Sequence, residues 1–261
     1  MLTGSNHTLI QSTKYNLQQK FKMKDLSVLR FFLGLEFSMN ASGILLNQRK
    51  YALELNADSG QGGAKPASTP LDFNQRHTSY EFDVATGSTT NYKLLIDPDR
   101  YQRLVGRLLY LVMTRPDIAY TVQVLSQFMH KPKESHMLAA IRVIRYIKNA
   151  PGLSLFMSST TSHQLFAYCD SDWVLVSQSR KSVTGYMIKV GSSLISWKSK
   201  KQETISRSSA EAEFRSMAST VAELSWLTGL FKELGVSIVQ PIDLHCDSKV
   251  AIQIAANPIF H

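Results

Sequence analysis

The fold of this chain is decided by LFAYCDSDW, residues 165–173, an apolar run that ends in two carboxylates, Asp170 and Asp172. Residues that form a buried strand rarely finish on paired acids unless the acids are exposed at the strand end or bind something. The end of this predicted strand is therefore a candidate site.

Two more segments carry acids in a similar setting. IDLHCDSK, residues 242–249, repeats the pattern of a strand, then Cys-Asp-Ser, then a helix-like segment, and SRSSAEAEF, residues 206–214, predicts a helix start with Glu211 and Glu213. If the two strands are neighbours and the helix packs across their ends, Asp170, Asp247 and a glutamate converge. Carboxylates without a nearby base are the usual ligands of hard divalent cations such as Mg²⁺.

These segments resemble a known family when they are taken in order with RKSVTGY, residues 180–186, and ISWKSKKQ, residues 195–202. They look like the ribonuclease H domain of Ty1/copia-type retrotransposon Pol polyproteins, and the upstream half resembles the adjoining end of the reverse transcriptase. The resemblance covers nearly the whole chain. It implies a mixed α/β fold: a ribonuclease H-like mixed sheet with helices, preceded by a small α+β palm remnant and a three-helix thumb or connection bundle.

The resemblance implies Asp170, Glu213 and Asp247 as catalytic metal ligands for two Mg²⁺ ions, with Mn²⁺ as a substitute. Read as isolated residues, Asp170 also fits a strand-end cap and Asp247 a helix N-cap, while Asp172 fits a turn or supporting acid. Glu211 stays an alternative to Glu213, which is preferred because its choice leaves Phe214, Met217 and Val221 at helical spacing to face the core. The expected phosphate contacts, each of which also fits a solvated surface charge, are Lys198, Lys200, Lys201 and Arg207.

Composition favours a polyanionic partner. The 29 basic and 20 acidic residues give a formal net charge of +9, so an RNA–DNA hybrid or another nucleic acid is the expected partner. The two cysteines, Cys169 and Cys246, each precede a candidate acid, and strand alternation predicts two buried thiols that point away from the acids rather than a disulfide. With no membrane-length apolar run or signal-peptide pattern, we expect an intracellular protein, cytoplasmic or nuclear, without a membrane partner.

Composition and punctuation by glycine and proline divide the chain into four units, of which 65–99 is predicted to be a polar and partly disordered linker. The resemblance implies that 1–64 is the end of the reverse transcriptase palm, 100–152 a helical thumb or connection region, and 153–261 a ribonuclease H-like domain. Basic residues of the helical region either track a nucleic-acid backbone or solvate its outer faces: Arg100, Arg103, Arg107, Arg115, Lys131, Lys133, Arg142, Arg145 and Lys148.

The expected activity is two-metal hydrolysis of RNA in RNA–DNA hybrids. The polymerase's Tyr-Val-Asp-Asp hairpin does not occur in this sequence, so we expect no polymerisation by the chain alone. The resemblance places a last strand and a fourth acid beyond residue 261, and Val174-Leu175-Val176 stands where the family has small residues. Two alternatives remain: a catalytically inactive nucleic-acid-binding remnant, and a domesticated protein that uses the helical bundle for interactions.

Overall fold

A computed structural model describes residues 2, 4, 6–25, 28–72, 74–75, 77–87, 93–172 and 181–257. The expectations for Trp173, Arg180 and the 174–176 run fall outside these described residues. Within them the chain forms two four-stranded sheets and a set of helices. The predicted mixed α/β class is confirmed.

The first sheet has the order β1-β2-β3-β4 and is antiparallel throughout. Its strands are β1 (Phe31–Phe32), β2 (Leu35–Asn40), β3 (Gly43–Asn47) and β4 (Leu155–Ser158). Helix α1 (His7–Lys20) precedes them in the chain, and α2 (Arg49–Asp58) follows β3. Gly43 closes the β2–β3 turn with a φ of 152°, and a Cβ there would lie 2.1 Å from the Met157 carbonyl oxygen. Strand β4, which the sequence places at the start of the last unit, therefore belongs to the first sheet.

Three predicted helices follow as α4 (Pro98–Leu111), α5 (Ala119–Ser126) and α6 (Glu134–Ile147), with a short 3₁₀ helix at Pro116–Ile118. Helix α4 begins where Asp97 accepts a hydrogen bond from the Arg100 amide and Pro98 takes the first helical position, as N-terminal preferences dictate. These helices share one apolar core, whose fully buried members include Tyr101, Val105, Leu108, Ile118, Val122, Leu125, Ala140 and Val143.

The polar segment 65–99 predicts a linker, but its described residues pack on the helices. It contains helix α3 (Tyr80–Thr86), and Ala67, Leu71 and Asp83 are buried. Lys133 Nζ lies 2.5 Å from Asp83 Oδ2, a buried ion pair that composition alone does not reveal. Two basic residues of α6 bind this stretch rather than only solvating the surface: Arg142 donates to Thr69 and Arg145 to the Lys65 carbonyl. Lys148, just after α6, donates to the carbonyls of the preceding residues Gln61, Gly62 and Ala64.

The second sheet has the order β7-β6-β5-β8. Strands β5 (Leu165–Asp172), β6 (Val183–Val190) and β7 (Ser193–Lys201) form an antiparallel meander, and β8 (Asp243–His245) lies parallel to β5. Helix α7 (Ser209–Glu233), which continues unbroken past Gly229, covers one face, and α8 (Lys249–Ala256) follows β8.

Alternation along β5 decides which residues meet the helix. Leu165, Ala167 and Cys169 are buried in the core under α7, whereas Tyr168 and Asp170 are exposed on the opposite face. That second face approaches the helical unit, where Trp197 Nε1 donates to the Val112 carbonyl at 3.1 Å. No helix among the described residues has the length and apolar character that crossing a bilayer requires.

Candidate active site

The candidate acids are brought together by the pairing of β5 with β8. The two strands are parallel, with Ala167 opposite Leu244 and Tyr168 opposite His245. Because parallel strands run in the same direction, Asp170, near the end of β5, and Asp247, just after β8, lie towards the same edge of the sheet. The arrangement that the sequence predicted as a condition is therefore present.

Helix α7 is held across this edge by polar contacts in its first turns. Ser208 caps the helix by accepting from the Glu211 amide at 3.1 Å. Ser216 Oγ lies 2.8 Å from the Asp170 carbonyl oxygen and 3.3 Å from that of Gly185. These contacts place the second turn of the helix, which carries Glu213, directly over the end of β5.

One amide links the first two acids. The Ser171 N–H donates to Asp170 Oδ1 at 2.8 Å and lies 3.2 Å from Glu213 Oε1. Glu213 is only 8% exposed. Its burial, followed by the negative charges of Asp170 and Asp247, raises the pKa of the Glu213 carboxyl to about 7. Such mutual repulsion is what a bound cation would relieve.

Asp247 approaches Glu213 from the other strand. Ligand atoms of Glu213, Cys246 and Asp247 all lie within 4.8 Å of one another. Asp247 is not the cap of the helix that follows, because Ser248 accepts from the Ala251 amide at 3.2 Å. The Asp247 carboxylate is therefore exposed at the site instead of being engaged as an N-cap.

The prediction that both thiols turn away from the acids is right for Cys169 and wrong for Cys246. Cys169 is buried in the core, while Cys246 Sγ lies 3.9 Å from Glu213 Oε2. Strand β8 ends at His245, so strict side-chain alternation no longer governs the next residue. Both cysteines are free thiols.

Glu211 and Glu213 occupy different surroundings. Glu211 accepts from the Arg207 amide and from Arg215 Nη2, each at 2.7 Å, and these two donors hold the pKa of its carboxyl below the ordinary value. Glu211 thus stabilises the helix start, while Glu213 faces Asp170 and Asp247. The role of Glu213 as a metal ligand stays a prediction.

The expected core face of α7 is partly wrong. Val221 is 49% exposed, whereas Ala212, Ser216 and Thr220 are buried against the sheet. Small side chains let the helix approach the strands closely, which a purely apolar pattern does not anticipate. With the helix this close to the strands, the Glu213 carboxylate reaches the Ser171 amide near the end of β5.

A buried glutamine supports the site and was missed as a functional residue. Gln202 Nε2 lies 2.9 Å from the Ala212 carbonyl oxygen, 3.1 Å from Thr184 Oγ1 and 3.3 Å from Ser171 Oγ. Its Oε1 accepts from Ser206 Oγ at 2.9 Å. One side chain therefore ties β5, β6 and α7 together beside the acids. The motif ISWKSKKQ includes Gln202, but the motif alone does not indicate the hydrogen bonds that this side chain makes.

The four expected phosphate contacts differ in their surroundings. Lys198 and Arg207 are exposed. Lys200 is exposed and lies 3.6 Å from Glu203, and Lys201 Nζ donates to Gln127 Oε1 at 2.8 Å across to the helical unit. Lys198, Lys200 and Arg207 are therefore better placed than Lys201 to meet a nucleic acid in solution.

The residues present fit a hard divalent cation. Asp170, Glu213 and Asp247 offer carboxylate oxygens, and among the described residues no lysine or arginine forms an ion pair with any of them. Oxygen-rich sites without a basic counterion suit Mg²⁺ or Mn²⁺ better than softer metals. Cys246 adds a softer donor at the rim of the site.

Comparison with known proteins places this chain in a family. Residues 1–72 match the family model described as reverse transcriptase (RNA-dependent DNA polymerase). The whole chain is 40% identical to a retrovirus-related Pol polyprotein from transposon RE1 of Arabidopsis thaliana, of which it covers 17%. Over 226 residues, 87% of this chain, it is 38% identical to an uncharacterized mitochondrial protein of the same plant, of which it covers 90%.

A yeast relative extends this similarity. A putative transposon Ty5-1 protein of Saccharomyces cerevisiae is 31% identical over 227 residues, which are 86% of this chain and 70% of that protein. The chain belongs to the family of copia-type, retrovirus-related Pol polyproteins, as the sequence motifs predicted. It spans about 17% of the length of the full polyproteins that it matches.

Proposed function

We propose that this part of a retrotransposon Pol polyprotein hydrolyses the RNA strand of RNA–DNA hybrids at Asp170, Glu213 and Asp247. The observation that carries the proposal is the Ser171 amide, which lies 2.8 Å from Asp170 Oδ1 and 3.2 Å from Glu213 Oε1. Together with the Glu213–Asp247 proximity, this contact gathers acids from three separate segments at one sheet edge. Such a gathering of buried and exposed acids is costly unless it serves a site.

The cofactor that we propose is a pair of Mg²⁺ ions, with Mn²⁺ as a substitute. When bound, two such ions supply an activated water and neutralise charge on the leaving oxygen. The chain's own residues hold and orient the ligands: the Ser171 amide fixes the carboxylates of Asp170 and Glu213, and Gln202 fixes Ser171. The Glu213 carboxyl has a pKa of about 7. It would lose its proton when a bound cation offset the negative charges of Asp170 and Asp247.

The nucleic acid is held, in this proposal, by basic side chains at the end of β7 and the start of α7. Lys198, Lys200 and Arg207 contact phosphates, and Lys201 contributes after release from Gln127. Preference for RNA in the cleaved strand comes from contacts to 2′-hydroxyl groups across the minor groove.

The division of the chain follows from the same proposal. Residues 1–64 form the end of the polymerase palm and 100–152 the thumb or connection region. The ribonuclease H-like domain, expected at 153–261, is proposed to start after β4 (Leu155–Ser158) instead, because β4 pairs with β3 of the first sheet. The segment 65–99 is the connector that packs on the helices.

The experiment that tests the proposal is cleavage of an end-labelled RNA–DNA hybrid by the purified chain in Mg²⁺ and in Mn²⁺. Asp170→Asn is the site variant, and Asp243→Asn is its matched control, because Asp243 is an exposed acid at the other end of β8. We expect cleavage by the unaltered chain and by Asp243→Asn, and none by Asp170→Asn. Equal activity of both variants contradicts the proposal.

A second function is favoured by the net charge of +9. An inactive chain of this kind would still bind nucleic acid through its basic residues. Hybrid binding that weakens with salt, without cleavage by folded protein in either metal, would identify such a remnant. The absence of both binding and cleavage would instead favour an interaction protein.

A further inference from the structure

A cavity of about 290 Å³ lies between the second face of the nuclease sheet and the helical unit. Its floor is formed by β5, β6 and β7, and its wall by Pro116, Ala119 and Tyr120. Asp170 lines the cavity as well as the acid cluster, so the two spaces adjoin. The volume is at the lower end of the range for ligand pockets, which suits one small planar group.

The hollow in the floor exists because Gly185 has no side chain. Gly185 lies opposite Asp170 on β5 and opposite Ser199 on β7. A Cβ at Gly185 would come no nearer than 3.9 Å to the Asp170 carbonyl oxygen, and its conformation is open to other residues. Packing therefore does not demand glycine here, and a glycine inside a strand often marks close approach of a ligand.

The rest of the lining is largely aromatic and apolar. Tyr168, Trp197 and Met187 rise from the same face of the sheet, and Tyr120 faces them from α5. The Tyr168 ring is held in place by stacking on His245, with centroids 4.8 Å apart and planes 16° from parallel. Trp197 is held by its hydrogen bond to the Val112 carbonyl. These rings form a pre-organised surface for a flat, unsaturated ligand.

Two carboxylates, Asp170 and Asp172, line the cavity together with Lys198. Asp172 already accepts a hydrogen bond from the Tyr120 hydroxyl, and a carboxylate can accept further donors. Ser199 also lines it, and among the described residues Ser199 Oγ has no hydrogen-bond partner. Carboxylates repel a phosphate, so the part of a nucleic acid that suits this cavity is a base with an amino group.

We propose that this cavity binds one unpaired nucleobase of the nucleic acid on which the site acts, and that it prefers a base with an exocyclic amino group. The proposal rests on the nucleic-acid function proposed above. The base stacks against the aromatic lining, and its amino group donates to the Asp172 carboxylate. Cytosine is favoured over uracil, which presents a carbonyl oxygen to the carboxylate in place of the amino group.

The test is fluorescence anisotropy with labelled single strands of equal length and charge: oligo-deoxycytidine, oligo-deoxyuridine and an abasic deoxyribose-phosphate chain. DNA strands in EDTA keep cleavage out of the measurement. We expect the cytidine strand to bind roughly 5- to 150-fold more tightly than the abasic chain, with the uridine strand between them. Asp172→Asn is expected to remove the preference for cytidine over uridine.

Gly185→Val adds a branched side chain to the cavity at a position where a Cβ comes no nearer than 3.9 Å to another atom, and valine suits a strand better than glycine. We expect it to keep its melting temperature and its binding of the abasic chain while losing the advantage of the cytidine strand. Ser199→Val fills the same space from β7 and serves if the first variant does not fold.

Two results overturn the inference: equal binding of the cytidine and abasic strands by the unaltered chain, or an undiminished base advantage in a folded, filled variant. Hybrid cleavage, measured separately, decides the proposed function. Hybrid cleavage without base-dependent binding would therefore contradict only the proposed base binding in the cavity. Base-dependent binding without cleavage would contradict only the proposed nuclease activity.

Discussion

Replacing Glu213 by glutamine should make the metal-free protein more stable while removing its proposed activity. The Glu213 carboxyl is buried, and the pKa of about 7, against the ordinary 4.5, means that the folded chain holds its proton more tightly than the unfolded chain. A pKa difference of this size corresponds to roughly 3 kcal/mol at most. Asp170 and Asp247 are exposed to solvent, so solvent screens their repulsion of Glu213. We therefore expect Glu213→Gln to raise the free energy of unfolding by ~1–2 kcal/mol.

The direction with pH follows from the raised pKa. The stabilising effect of Glu213 is complete below about pH 4.5 and is lost as the pH rises through 7. In urea unfolding in EDTA, the stability of Glu213→Gln relative to the unaltered chain should therefore increase between about pH 5 and 8. Adding Mg²⁺ at the higher pH should stabilise the unaltered chain and leave the variant nearly unchanged.

Glu211→Gln is the matched control, since Glu211 lies two residues earlier on the same helix but accepts from the Arg207 amide and Arg215. We expect it to lower stability slightly between about pH 5 and 8, where the Glu211 carboxylate is ionised, and to retain the Mg²⁺ response. The reasoning is refuted if folded Glu213→Gln is no more stable than the unaltered chain at about pH 8, or if Mg²⁺ stabilises both equally.

Three further predictions concern groups that support the fold. Lys133→Met should cost ~3–5 kcal/mol in urea unfolding, because it leaves Asp83 charged and buried, and adding Asp83→Leu should restore most of the loss; a double variant as unstable as the single one would contradict this. Burial lowers the pKa of His136 to about 3, so stability from its neutral form is complete above pH 6.5 and falls in acid, by ~2 kcal/mol between about pH 7 and 5; an imidazole NMR signal that titrates normally in the folded protein would refute it. Gln202→Leu should cost ~1–3 kcal/mol by leaving Ser171 and its neighbours without partners and should slow hybrid cleavage; unfolding and cleavage assays that match the unaltered chain would show that the network is dispensable.

Much of the architecture was predictable from local patterns. The apolar run at 165–169 predicted strand β5, the strand-like segment at 242–246 predicted β8, and the segment 206–214 with its two acids predicted the start of α7. The acids on these elements were recognisable because Asp170 and Asp247 directly follow strand-like segments. Such signals are local, so the sequence carries them without reference to the rest of the chain.

Other features depended on partners far away in sequence. Composition predicted that residues 65–99 form a linker. In the structure Asp83 of this segment forms an ion pair with Lys133, and the basic side chains of α6 donate to carbonyl groups of the segment. Strand β4 joins β3 across more than a hundred residues of chain. Long-range pairing of this kind has no periodic signature in either segment.

For this protein the sequence by itself determined the class of fold and the family and pointed to Asp170 and Asp247 as candidate acids, because motif order and strand-end acids can be recognised in consecutive residues. Only the tertiary structure decided that Glu213 rather than Glu211 faces Asp170 and Asp247, that Cys246 lies against Glu213, that Gln202 braces the strand ends, and that Gly185 opens a cavity beside them. Each of these depends on how α7, β8 and the helical unit are placed against the sheet. That placement is a property of packing between distant segments, which pattern along the chain does not encode.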